Sequence, residues 1–196
     1  MLRIVLALFL FFLLPYQAHA DLESAMAAYE AGDYETAVKE LLPLAEAGDA
    51  QAQQNLGSMY TEGKGVPKDY AEAIKWFRKA AAQGNALGQS NLGFMYYKGF
   101  GVQQDYTEAL MWYRKSAEQG NAGGQFNLGV MYHRGYGLQK NNVQAYAWTG
   151  IAAANGNADA VQVRNYLETQ LTPNELEEAY QLARELWDKY GNKENN

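Results

Sequence analysis

Apolar positions along this chain recur with two periods at once. Within short stretches they fall three and four residues apart, as Leu56, Met59 and Tyr60 do, and Ala73, Trp76, Phe77 and Ala80 after them. That spacing places each set on one stripe of an α-helix. Over longer stretches the pattern returns every 36 residues: "NLGSMY" at 55–60, "NLGFMY" at 91–96 and "NLGVMY" at 127–132. Each unit therefore predicts two helices. The first (A) carries the Leu-Gly pair and the second (B) carries the Ala-Trp stripe. A fixed period of this size predicts a repeat array.

The polar punctuation agrees. Asp69, Asp105 and Asn141 stand where helix B needs an oxygen for its free N–H groups. Gly84, Gly120 and Gly156 stand where it needs a left-handed stop, and the links "GKGV", "GFGV" and "GYGL" hold two glycines each. Gly57, Gly93 and Gly129 lie inside helix A, where glycine costs about 1 kcal/mol relative to alanine. Their recurrence predicts close helix approach, with Ala73, Ala109 and Ala145 opposite and Trp76, Trp112 and Trp148 filling larger gaps between hairpins.

The ends differ from the middle. Residues 21–48 keep the hairpin pattern with a shorter link; three repeats occupy 49–84, 85–120 and 121–156. Residues 157–190 hold a decayed copy followed by "LTPNELEEAYQLARELWDKY". There Thr172 and Glu175 predict a capping box, and Leu176, Ala179, Leu182, Ala183 and Leu186 form one stripe. This predicts a capping helix that closes the exposed end of the stack. The tail 191–196 is expected to be disordered. At the other end, Arg3, the apolar run 4–14, Pro15 and the "AHA" before Asp21 have the layout of a signal peptide, residues 1–20, cleaved after Ala20. The expected location is periplasmic or secreted, with no membrane span after cleavage, because the run is short of the ~20 residues that cross a bilayer.

The pattern "A..NLG.MY..G.GV..DY.EA..W..KAA..GN" resembles the Sel1-like repeat, a relative of the tetratricopeptide repeat, in its exported bacterial form. The resemblance implies an all-α fold, a right-handed α-solenoid of helical hairpins whose concave face is lined by the A helices. It implies an adaptor or assembly role in binding other proteins.

Composition narrows the chemistry. The formal net charge is −6, cysteine is absent, and beyond the leader the single histidine is His133. Thiolate chemistry and histidine-based metal sites or nucleophile–base pairs lack raw material. Glu35, Asp69, Glu72 and Glu108 fall on helix starts, where the helix dipole favours them. No enzyme activity, cofactor or metal is expected. Lys75, Arg78, Lys79, Arg114 and Lys115 fit a solvated B-helix face, so nucleic acid is not expected as a partner, and the chain is read as a monomer.

Candidate binding residues come from positions of helix A that vary while their neighbours repeat. These are Gln54/Ser90/Phe126, Ser58/Phe94/Val130, Thr61/Tyr97/His133 and Glu62/Lys98/Arg134, one helical face by spacing. In tetratricopeptide arrays that resemble this one, that face lines the peptide groove. Phe94, Tyr97, Phe126 and Val130 supply apolar surface, and Lys98 and Arg134 supply cations for a carboxylate. Asn55, Asn91 and Asn127 abut the same face. An amide both donates and accepts, so these three either stitch neighbouring helices together or hold the backbone of a bound peptide. The preferred function is a non-enzymatic scaffold in the bacterial envelope that holds a protein or peptide segment. The alternative is a binder of cell-wall fragments or regulator of an envelope enzyme.

Overall fold

The computed structural model describes residues 22–191, which divide into two compact units, one ending at Gln83 and the other beginning at Gly84. The proposed leader and most of the proposed tail lie outside the described residues. All regular structure among the described residues is helical. The first unit holds α1 (22–30), α2 (Tyr34–Glu46), α3 (Ala50–Glu62) and α4 (Tyr70–Ala82). The second holds α5 (Ala86–Lys98), α6 (Tyr106–Glu118), α7 (Ala122–Arg134), α8 (Asn142–Ala154), α9 (Ala158–Glu168) and α10 (Pro173–Tyr190).

The expected A and B helices are α3/α4, α5/α6 and α7/α8, each 13 residues long and each starting and stopping at a residue chosen for the purpose. Carboxylate or amide oxygens of Asp69, Asp105 and Asn141 accept from the first free N–H groups of α4, α6 and α8. The A helices stop at Gly63, Gly99 and Gly135, all left-handed, with φ of 75°, 71° and 71°. Gly84, Gly120 and Gly156 follow the B helices with φ of 86°, 82° and 91°.

Packing follows the stripes. In the first unit Leu41, Ala52, Leu56, Met59 and Trp76 form one buried cluster. In the second, Ala109, Tyr113, Leu128, Met131, Trp148 and Ile151 form another. Trp76 and Trp148 are buried as expected, but Trp112 is only half-buried and its Nε1 donates to Glu108 at 3.1 Å. Gly93 shows why the A helix needs glycine. A Cβ there would lie 2.8 Å from the Tyr113 ring and 3.2 Å from the Ala109 carbonyl. So the group opposite the glycine is the aromatic one turn beyond Ala109, together with that alanine's backbone.

The expected C-terminal capping helix is present as α10. α10 packs along α8 and reaches α6, rather than pairing with α9 as the second helix of a hairpin would. Leu176 and Leu182 rest on a cluster formed by Val143, Tyr146, Leu167 and Ala179. Leu186, Trp187 and Tyr190 rest on the Tyr113–Trp148 cluster, where the Tyr190 and Trp148 rings stack at 5.8 Å. At 18 residues, α10 is long enough to carry its apolar stripe across two B helices. It thus caps the array on α8, the last B helix, and reaches α6. The capping box at its start is formed, with Thr172 and Glu175 bonded reciprocally.

Two glycine substitutions test this packing in opposite directions. Gly93→Ala should destabilise by about 1–3 kcal/mol, because overpacking outweighs the helix-propensity gain. Gly150→Ala, whose Cβ would meet nothing nearer than 4.0 Å, should be neutral or stabilising by up to about 1 kcal/mol. Urea unfolding followed by far-ultraviolet circular dichroism checks both.

Candidate functional site

The repeated amide divides into two populations once the helices are placed. Stitching is done by glutamine, two residues before each asparagine. Gln53, Gln89 and Gln125 are buried, at 3%, 5% and 0% exposure. Each accepts a hydrogen bond from the amide that ends its own hairpin: Gln83 Nε2 to Gln53 at 2.8 Å, Gln119 Nε2 to Gln89 at 2.7 Å, and Asn155 Nδ2 to Gln125 at 2.8 Å. Gln53 also donates to the Ala45 carbonyl of α2 at 2.9 Å, and Gln125 to the Ala117 carbonyl of α6 at 3.2 Å. Gln125 reaches further, donating to the Tyr190 carbonyl at the end of α10. One side chain thereby ties α6, α7, α8 and α10.

The asparagines differ from this and from each other. Asn55, in the first unit, donates to the Met26 sulfur at 3.0 Å and accepts from Gln51 at 3.3 Å. Asn91 and Asn127, in the second unit, are half-buried, and their side-chain amides make no hydrogen bond among the described residues. The stitching alternative therefore has a local basis for Asn55 alone.

Around Asn91 and Asn127 the second unit assembles an aromatic and cationic surface from α5, α7 and their links. Phe94 is exposed at 36% and meets Phe100 edge-on at 6.1 Å. Tyr97 sits against Tyr106 and Tyr136 at 5.7 and 6.0 Å, and those two rings stack face to face at 4.6 Å. Lys98 is exposed and holds its ammonium 5.8 Å from the Phe94 ring centre and 5.2 Å from that of Tyr97. Burial pushes the Tyr97 hydroxyl above its usual range, neighbouring Tyr136 and Tyr106 add to this, and Arg134 pulls the other way. Neither Lys98 nor Arg134 has a carboxylate within 4.0 Å among the described residues.

Other proposed positions fare differently. Phe126 and Val130 are half-buried on α7. The slot before the asparagine is closed in the first two copies, since Gln54 and Ser90 are 4% and 6% exposed. His133 Nδ1 donates to the Asn142 side-chain oxygen at 3.1 Å, and the ring stands edge-on to Tyr166. Phe100, Tyr106 and Tyr136 were not singled out by sequence, although Phe100 and Tyr136 fill one slot of the link, occupied by Lys64 in the first copy. No group of histidines and carboxylates suited to a metal ion occurs among the described residues. No described helix is long and apolar enough to cross a membrane.

The balance between the two amides is testable. Gln125→Ala should cost about 1–3 kcal/mol through the buried groups it leaves without partners. Asn91→Ala should leave stability unchanged or slightly raised, since alanine is the better helix former. Thermal melts of the two variants check the contrast.

Comparison with known proteins supplies the family. The Sel1 repeat family model matches residues 50–85, 86–121 and 122–157. Among solved structures, a protective antigen of uropathogenic Escherichia coli displaying an SLR fold is similar at TM-score 0.83 and 36% identity. That match covers 89% of this chain and 38% of the antigen, so the chain spans well under half of that protein's length. A Sel1 repeat protein from Oxalobacter formigenes is similar at TM-score 0.71 and 32% identity, over 86% of this chain and 69% of that one. Helicobacter pylori cysteine rich protein B shares the fold at TM-score 0.54 and 22% identity, over 66% of this chain and 96% of that one. No curated protein matches the sequence. Sel1 repeats are, as a family, non-catalytic scaffolds for protein–protein interaction. The helical hairpins, their punctuation and these likenesses converge on one assignment: the chain belongs to the Sel1 repeat family.

Proposed function

We propose that this protein is a non-enzymatic scaffold of the bacterial envelope that holds an extended segment of a partner protein against α5 and α7. The observation that carries the reading is the pair of unengaged amides, Asn91 and Asn127, one per repeat, the first of them one turn before the exposed Phe94 on α5. A polar group half-removed from water without a partner gains by pairing. An amide meets both the N–H and the C=O of a peptide backbone, so it can hold a chain without reading its side chains. Phe94, Tyr97, Phe126 and Val130 then offer apolar surface for the segment's side chains. Lys98 and Arg134 favour a segment that carries a carboxylate. The envelope location rests on the leader-like pattern of residues 1–20.

A photo-crosslinking residue in place of Phe94, in the full chain incubated with bacterial envelope extract, tests the proposal. A discrete adduct is expected, and it should disappear when Asn91→Ala and Asn127→Ala are added while the melting temperature holds. Persistence of the adduct in that double variant, or the same adduct from a probe at the exposed Glu185 on α10, would overturn the proposal.

A further inference from the structure

The last helical pair departs from the repeat geometry, and a cleft opens where it does. Because α10 lies along α8 instead of pairing with α9, the two flank α8 and leave about 440 Å³ between them. That is the size of a small-molecule site. Gly150, Ile151 and Ala154 of α8 line it, and small side chains there keep it open. A Cβ at Gly150 would meet only Ala183 and the Arg164 stem, both at 4.0 Å. Tyr146, Tyr180 and Trp187 give it aromatic walls.

Its charges are set apart from the rest of the molecule. The chain is acidic overall, yet this lining brings Arg164 of α9 and Arg184 of α10 together with one carboxylate, Asp188. Among the described residues neither arginine has a carboxylate within 4.0 Å. Arg164 is the more telling. Its Nε is sealed from water and donates to nothing, and its one hydrogen bond runs from Nη2 to Asn165 at 3.0 Å. Nearby Glu168 is engaged instead by the Tyr180 hydroxyl at 3.3 Å. A guanidinium that has lost water on one edge and found no anion is costly, and an incoming carboxylate offsets that cost.

We propose that the α8–α9–α10 cleft binds a small apolar carboxylic acid, its body on Ile151 and Trp187 and its carboxylate on Arg164. The same chemistry is presented by a free acid and by the C-terminal residue of a peptide.

Isothermal titration of the full chain distinguishes these sources. The probes are N-acetyl-phenylalanine, its C-terminal amide, and an acetylated Ala-Ala-Phe tripeptide with a free carboxylate. At least one acid should bind at least about 10-fold more tightly than the amide, and Arg164→Gln should remove that preference. Binding by the acetylated amino acid identifies a free acid as sufficient; binding by the tripeptide alone identifies a peptide terminus. Ala183→Leu, which fills the cleft with one more apolar side chain, should abolish binding, with a retained melt showing that the fold persists. Equal affinity for acid and amide, no heat from any probe, or unchanged acid binding in Arg164→Gln would overturn the proposal.

Discussion

One buried amide links four helices of the second unit. Gln125 has no exposed surface, and its carboxamide bonds the end of its own hairpin at Asn155, the Ala117 carbonyl of α6 and the Tyr190 carbonyl of α10. A buried amide that lost one of these partners would leave a donor or acceptor stranded, so the network holds together or fails together. Hydrophobic burial brings the helices together, but it tolerates sliding. The amide does not, because hydrogen bonds require a fixed distance and direction. Gln53 performs the same task between α2, α3 and the end of α4. The repeat is thus pinned in register by a glutamine.

That division of labour sets what the asparagine is free to do. Asn91 and Asn127 lie two residues from a buried, hydrogen-bonded glutamine on the same helix, and their side-chain amides have no partners among the described residues. Tyr97, Tyr106 and Tyr136 pack against one another and against the Tyr113–Trp148 cluster, so that surface is formed before any ligand arrives. A preformed surface avoids part of the ordering cost that binding otherwise incurs. Elsewhere in the second unit α10 packs along α8, and the cleft between α8, α9 and α10 has a different chemistry.

Most of the fold was legible from the 36-residue period, because helix length, caps and stops are local and repeat with it. Asp105, Gly99 and Thr172 each act within four residues of themselves. What was not legible was longer in range. Gln89 and Gln125 repeat as faithfully as the asparagines, but their partners lie 30 residues downstream and meet them only once a hairpin has closed. The Tyr106–Tyr136 stack has the same separation and the same concealment. The stripe on α10 says that one face of that helix is buried; it carries no information about which neighbour buries it. The exposure of the candidate surface was half legible: Phe94 and Lys98, which vary between copies, are exposed, whereas the closing of Gln54 and Ser90 depends on packing that variation does not report.

The central claim is that glutamine holds the repeats together and asparagine is left free to hold something else. Hydrogen exchange of side-chain amides, resolved by nuclear magnetic resonance on the full chain, measures it directly. The Nε2 protons of Gln53 and Gln125 should exchange slowly, while the Nδ2 protons of Asn91 and Asn127 exchange at nearly the rate of an open amide. Strong protection at Asn91 and Asn127 in the free protein, or rapid exchange at Gln125, would contradict the account.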